Sequence, residues 1–177
     1  MTVPLFRRLL GPEIDSLPRT LRAAHDGHDN QHWTGVAEVE ASRNPAARLL
    51  CRMMRLPAPG SRVPVTVVFE RHGDRERWRR DFAGRRYEST LSEQWGFMVE
   101  RMGLAINIFR LSVVDRTLRL DLVGFRFLGV SLPAALRPRC SAREREEDGR
   151  YVFDVPISLW WFGRIIRYMG RLERRDD

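Results

Sequence analysis

Apolar residues in this chain recur with two different periods. Up to about residue 60 they fall three and four positions apart, as on one face of a helix; from Val63 onward they alternate with polar residues, as on a strand. Leu5, Phe6, Leu9 and Leu10 form the apolar side of a short helix that also contains Pro4, with Thr2 as its cap and Gly11-Pro12 as its stop. Ser16 is placed to cap a second helix, with Pro18 in its first turn, Leu17, Leu21 and Ala24 at helical spacing, and Gly27 as terminator. After a strand-like run from Trp33 to Ala41, a third helix starts at Asn44, with Pro45 in its first position. Its apolar face is Ala46, Leu49, Leu50, Met53 and Leu56, of which Leu49, Leu50 and Met53 are expected to pack on the sheet while Arg48, Arg52 and Arg55 face water.

In the alternating part, Val63 to Arg71 reads as a strand and His72-Gly73-Asp74 as its turn. Further strands are expected at Arg75 to Phe82, Arg85 to Leu91, Phe97 to Met102, Ala105 to Val114 and Thr117 to Phe127, punctuated by Gly84, Gly96 and Asp115-Arg116. A loop through Pro133 and Pro138 leads to Ser141 to Glu146; Asp148-Gly149 then turns the chain into Arg150 to Trp161, and Arg164 to Leu172 is the last strand. About nine or ten strands with turn signals every 8–12 residues, and no strand–helix alternation, argue for an antiparallel arrangement. So large a sheet must curl, close or be covered to hide its edges. The expected fold is mainly β (α+β): a large curved antiparallel sheet, barrel or half-barrel, with N-terminal helices packed on it. One domain spans 1–177, with a helix-rich part at 1–60 that contributes one strand and an antiparallel part at 61–173. The charged tail Glu173 to Asp177 is a candidate for fraying.

Length and composition fit this picture: 177 residues, 43% hydrophobic and 31% charged, suffice for one sizeable core. The net charge of +8 changes it more, because such an excess points to nucleic acid or an anionic surface. Nucleic acid is disfavoured, since all 31 basic residues are arginine, without one lysine, and they are interleaved with Asp and Glu along the chain. That inventory reads as the codon bias of a GC-rich bacterial genome. Cys51 and Cys140 form no CxxC pair, and Cys51 reads as a small buried hydrophobe. Arg7 and Arg8 break the apolar start, no segment approaches the roughly 18 apolar residues of a membrane-spanning helix, and a cytoplasmic location is the expectation.

Several motifs occur in a specific order: Trp33-Thr34-Gly35, Pro64 to Val67 ahead of Phe69-Glu70-Arg71, Glu76 to Gly84, Val99-Glu100-Arg101, Leu128 to Pro133, Asp148 to Val155, and Arg167-Tyr168-Met169-Gly170. Together they resemble a bacterial domain-of-unknown-function family, number 4166, over nearly the whole chain. Members of that family stand alone or follow a dehydrogenase- or epimerase-like part. This chain contains no GxGxxG and no βαβ unit. The resemblance therefore implies a stand-alone accessory or ligand-binding domain and carries over no catalytic residue. Ser131 and Trp160-Trp161 depart from the family pattern, where apolar turns containing proline are commoner.

No catalytic set is visible, neither GxSxG nor a Cys-His neighbourhood, which places hydrolase or cyclase chemistry last. His25, His28 and His32, with Asp26 and Asp29, cluster as metal-type ligands would, yet their spacing matches no zinc motif; no metal and no cofactor is expected. Glu144 and Glu146 share one side of an alternating strand, which reads as a solvated edge with cross-strand ion pairs. More informative is charge beside aromatic: Trp78, Arg80 and Phe82 share a strand face, as do Tyr87, Ser89 and Leu91 on the next. If that face is interior, Arg80 needs a partner, for which Glu100 is placed, and an arginine in an apolar cavity can fix an anionic head group. If it is exterior, Arg80 snorkels past aromatics under a helix.

The leading reading is a non-catalytic binding module for an amphipathic or lipid-like small molecule, with Trp78, Arg80, Phe82, Tyr87, Glu100 and Arg101 as its ligand-binding set. The alternative is an accessory domain for a dehydrogenase-like protein, with Trp160, Trp161 and Phe162 at a hairpin tip as contact to that partner or to a membrane surface.

Overall fold

Alternation from Val63 onward does produce strands, and tight turns join most of them in chain order. The computed structural model describes residues 2–175; Asp176 and Asp177, the end of the charged tail, lie outside the described residues. Three short helices, α1 (Leu5–Leu10), α2 (Arg19–His25) and α3 (Pro45–Met53), accompany a 3-10 segment at Gly11–Ser16. The strands are β1 (Gln31–Ala41), β2 (Gly60–His72), β3 (Arg75–Phe82), β4 (Arg85–Gln94), β5 (Phe97–Met102) and β6 (Ala105–Val114). They continue with β7 (Thr117–Phe127), the two-residue β8 (Val130–Ser131), β9 (Arg139–Glu147), β10 (Arg150–Leu159) and β11 (Gly163–Arg175). Glu173 to Arg175, expected to fray, are part of β11, where His32 to Thr34 of β1 pair with them.

Every pairing is antiparallel, and all strands except β8 form a closed ring of ten. The closing strand is β7, which pairs along its length with β6 and, through Leu118 to Asp121, with Asp121-facing Ser141 to Glu144 of β9. Among the described residues, closure leaves only the two-residue β8, paired with β7 alone, as a sheet edge. It also settles the choice between barrel and half-barrel, and β9 is an interior member of the sheet, not a solvated edge.

Turn chemistry sets the register. Ala83-Gly84, Trp95-Gly96, Asp115-Arg116 and Asp148-Gly149 are two-residue connections with both residues at positive φ, the geometry whose twist suits a tight hairpin. Asp115-Arg116 achieves it without glycine, Arg116 lying at φ 60°.

The barrel has two unlike ends. One carries the β2–β3, β4–β5, β6–β7 and β9–β10 turns and is plugged by α1, the 3-10 segment and α2. Phe6, Ile14 and Leu21 are fully buried there, each burial worth roughly 1.5–3 kcal/mol. Phe6 stacks on His25 at 4.1 Å and lies parallel to Trp78 at 5.9 Å. His25 Nε2 lies 2.6 Å from Glu144 Oε2, and Thr20 N donates to Glu146 Oε2, so α2 is tied to β9. The other end carries α3, the β3–β4, β5–β6 and β10–β11 turns, and the loop from β7 through β8 to β9.

Helix details differ from the sequence reading where tertiary packing competes with local signals. Pro4 and Pro18, not Thr2 and Ser16, occupy the cap positions of α1 and α2, without side-chain caps; Ser16 Oγ donates instead to the Glu13 carbonyl. Asn44 does cap α3, accepting from the backbone N–H groups of Ala46 and Ala47. The buried face of α3 is, however, Ala47 and Cys51, while Leu49 and Met53 are exposed and Leu50 is half-buried. Small side chains let the helix approach β11 closely, with Cys51 Sγ near the Ile165 carbonyl, and leave the larger apolar residues outside.

Candidate functional site

Strand alternation aims one row of side chains from each strand into the barrel. Inward positions include Val67 and Phe69 of β2, Trp78, Arg80 and Phe82 of β3, Tyr87 and Ser89 of β4, and Met98 and Glu100 of β5. Phe109, Leu120, Leu122, Tyr151 and Phe153 line the far wall. They line a largely apolar, partly open cavity of about 330 Å³, at the lower end of the range for small-molecule sites.

A polar ladder crosses one wall of this cavity over four adjacent strands. Arg80 Nη1 donates to Ser89 Oγ at 2.9 Å, Arg80 Nη2 lies 3.3 Å from Glu100 Oε1, and Asn107 Nδ2 donates to Glu100 Oε2 at 3.2 Å. The guanidinium also lies over the rings of Trp78 and Tyr87, at 4.9 and 5.4 Å, contacts worth on the order of 1 kcal/mol each. Burial pulls the Arg80 guanidinium down, but the net displacement is upward, with the Glu100 carboxylate the leading opposing cause, so it stays charged. Tyr87 Oη is buried and faces Tyr168, but makes no well-aligned hydrogen bond among the described residues. Burial raises the Tyr87 phenol against the opposing pull of Arg80, and raises those of Tyr151 and Tyr168 further, so all three remain neutral hydrogen-bond donors.

Of the residues grouped from the sequence, Trp78, Arg80, Phe82, Tyr87 and Glu100 meet inside the barrel. Arg101 does not: it follows Glu100 by one position, points to the opposite face and is exposed. Asn107 was missed because a single Asn on a strand carries no signal until its inward register is known. Glu144 was read as solvated, yet it is 6% exposed, lines the cavity and contacts His25. The three histidines separate: His25 is fully buried beneath α1, His28 is exposed and His32 belongs to β1. Cys140 also lines the cavity, and burial pushes its thiol up to about 12, which keeps it protonated and a poor nucleophile at neutral pH.

Nearly all of this barrel falls within the span of one family model. The family model for a domain of unknown function, DUF4166, matches residues 17–172, which span β1 through nearly all of β11. The chain belongs to the DUF4166 family. No curated protein matches the sequence. The match begins at Leu17, so α2, whose His25 meets Glu144, lies inside it, whereas α1 precedes it.

Among the described residues of this DUF4166 chain, no helix is long and apolar enough to cross a membrane. The outer face of the barrel bears charge in place of a lipid-facing apolar band: Arg77 pairs with Glu88, Arg79 with Glu70 and Arg145 with Glu147.

Proposed function

We propose that this domain is a binding module that holds an amphipathic, lipid-like molecule inside the barrel. The observation that supports the reading is a largely apolar cavity with hydrogen-bond donors on its wall: the Tyr87 hydroxyl, which faces Tyr168 without a well-aligned hydrogen bond, and the N–H groups of Arg80 beyond those directed at Ser89 and Glu100. An apolar tail fits against Phe109, Leu120, Leu122 and Phe153, while a carboxylate or phosphate oxygen accepts from Arg80 and Tyr87. Glu100 compensates the arginine charge, and Asn107 holds Glu100, so the guanidinium keeps one orientation. Stacking between Trp78 and Tyr87 fixes it further.

Titration with dansyl-labelled undecanoic acid, followed by fluorescence, tests this. Saturable one-to-one binding is expected in the wild type. Ala142→Phe, which fills the cavity from β9, should abolish it, and the methyl ester of the probe should bind at least tenfold more weakly. Absence of saturable binding, or binding unaffected by Ala142→Phe in a protein with a native circular dichroism spectrum, would overturn the proposal.

A further inference from the structure

The excess positive charge, dispersed along the sequence, is gathered in space. The connections at the α3 end of the barrel, residues 42–59, 83–84, 103–104, 128–138 and 160–162, contain five arginines and no Asp or Glu. Arg62, Arg85, Arg86, Arg101, Arg126, Arg139 and Arg164 stand within a few residues of them on the strand ends, where Asp81 pairs with Arg86 and Glu40 with Arg164, leaving arginine in clear excess. The helix-plugged end is mixed: its hairpin turns carry Asp74, Asp115, Arg116 and Asp148, and its plug carries Arg7, Arg8, Arg19 and Arg22 against Glu13, Asp15 and Asp26.

Large apolar side chains follow the same asymmetry. At the basic end Met53 is 72% exposed, Trp160 69% and Trp161 55%. Leu49 lies one helical turn before Met53, and Leu104 and Leu128 project from the β5–β6 and β7–β8 turns, all three exposed. Leu128 adopts φ 52°, a conformation that glycine or asparagine takes more readily, so a bulky apolar residue is placed at a turn tip against local preference. At the opposite end Trp95 is exposed, and among the described residues only Val3 and Val114, smaller and less exposed, accompany it there. Exposed apolar residues scattered singly need no explanation, but a ring of them drawn from four separate connections does.

From this ring we infer that the α3 end docks on an anionic lipid bilayer, with the tryptophans, leucines and Met53 entering the headgroup region and the surrounding arginines meeting lipid phosphates. Charge decides among occupants. A second copy of this chain would bring the same arginine ring against the first, whereas an anionic bilayer complements it over the whole rim. Indole rings and long apolar side chains above a basic collar are suited to the interfacial layer, where an apolar body and a polar edge are both accommodated. Arg139 already lies 5.6 Å over the Trp160 ring, which keeps guanidinium and indole together at the rim. Leu50, Met54, Leu132 and Leu136 of this end line the cavity, so docking would turn that end of the cavity toward the membrane. The inference rests on the rim alone and stands whether or not the cavity takes a lipid-like molecule.

Sedimentation with vesicles of phosphatidylcholine alone, or with about one third phosphatidylglycerol, tests it in 0.1 M salt. At least tenfold tighter binding to the anionic vesicles is expected. The variants Trp160→Ser/Trp161→Ser and Leu49→Ser/Met53→Ser alter exposed residues, so each should keep the wild-type melting temperature and lose at least tenfold in vesicle binding. Trp95→Ser should bind as wild type. Failure to bind anionic vesicles, retention of binding by both rim variants, or equal loss in Trp95→Ser would overturn the inference. So would a dimer in sedimentation velocity that the rim variants dissociate, because the rim would then be a contact between copies.

Discussion

Replacing Arg80 by leucine asks most directly whether the ladder is a single electrostatic unit. The substitution removes the guanidinium from between Ser89 and Glu100 and leaves a carboxylate that is only 12% exposed with Asn107 as its remaining partner. At 3.3 Å and an effective dielectric of about 20, the attraction lost is at most ~5 kcal/mol. Breaking a well-buried pair from one side typically costs about 3–5 kcal/mol. Here the long Arg80–Glu100 contact and residual exposure reduce that, and the added leucine returns some apolar packing, so a loss of about 2–3 kcal/mol is expected. Arg80→Leu/Glu100→Leu removes both charges and should lie within about 1 kcal/mol of wild type. Urea unfolding with constant m values measures both. A single variant as stable as wild type, or a double variant at least as destabilised as the single, would refute the coupling and with it the idea that Glu100 holds Arg80 in place.

Four other outcomes follow from particular contacts. Gly35→Ala would drive Cβ into the Arg171 carbonyl oxygen of β11, a backbone atom that no rotamer change relieves; a loss of about 3 kcal/mol or more in urea unfolding is expected, and a neutral result would contradict the β1–β11 spacing. Arg116→Gly removes a non-glycine residue from positive φ in the β6–β7 turn and should stabilise by roughly 1 kcal/mol in the same assay. Asp154 accepts from both Arg167 Nε and Nη2 at 2.8 Å, which holds its carboxyl below the ordinary value; the pair's stabilisation is present above the unfolded-state value and disappears as pH falls through the lowered one. Arg167→Leu should therefore cost roughly 0.5 kcal/mol at pH 7, given partial exposure, and this difference should shrink on acid titration below about pH 4. Finally, with its thiol pushed up to about 12, Cys140 should react with iodoacetamide at pH 8 far more slowly in the native protein than in urea, as mass spectrometry of the alkylated peptide would show.

Whether a residue is legible depends on how far away its partners are. The alternation Trp78–Arg80–Phe82 and Tyr87–Ser89–Leu91 fixes which side chains share a face, because that is a property of the extended backbone alone. The glycine and aspartate turns likewise announce the hairpins, since few residues tolerate positive φ. Nothing local says which face is interior. That depends on β7 meeting both β6 and β9, contacts whose partners are distant in the chain. Once the ring closes, Arg80 turns from a surface alternative into a buried member of a ladder, and Asn107 and Glu144 acquire roles that their immediate neighbours do not betray. The same applies to α3, whose hydrophobic stripe indicates a helix and suggests the wrong buried face: burial goes to Ala47 and Cys51 because β11 offers a close approach, and Leu49 and Met53 are left for the rim. Charge shows the limit most clearly. Thirty-one arginines interleaved with acids look diffuse in sequence, but an antiparallel barrel sends alternate connections to opposite ends, and that sorting, absent from any single segment, separates a basic apolar rim from a helix-plugged end of mixed charge.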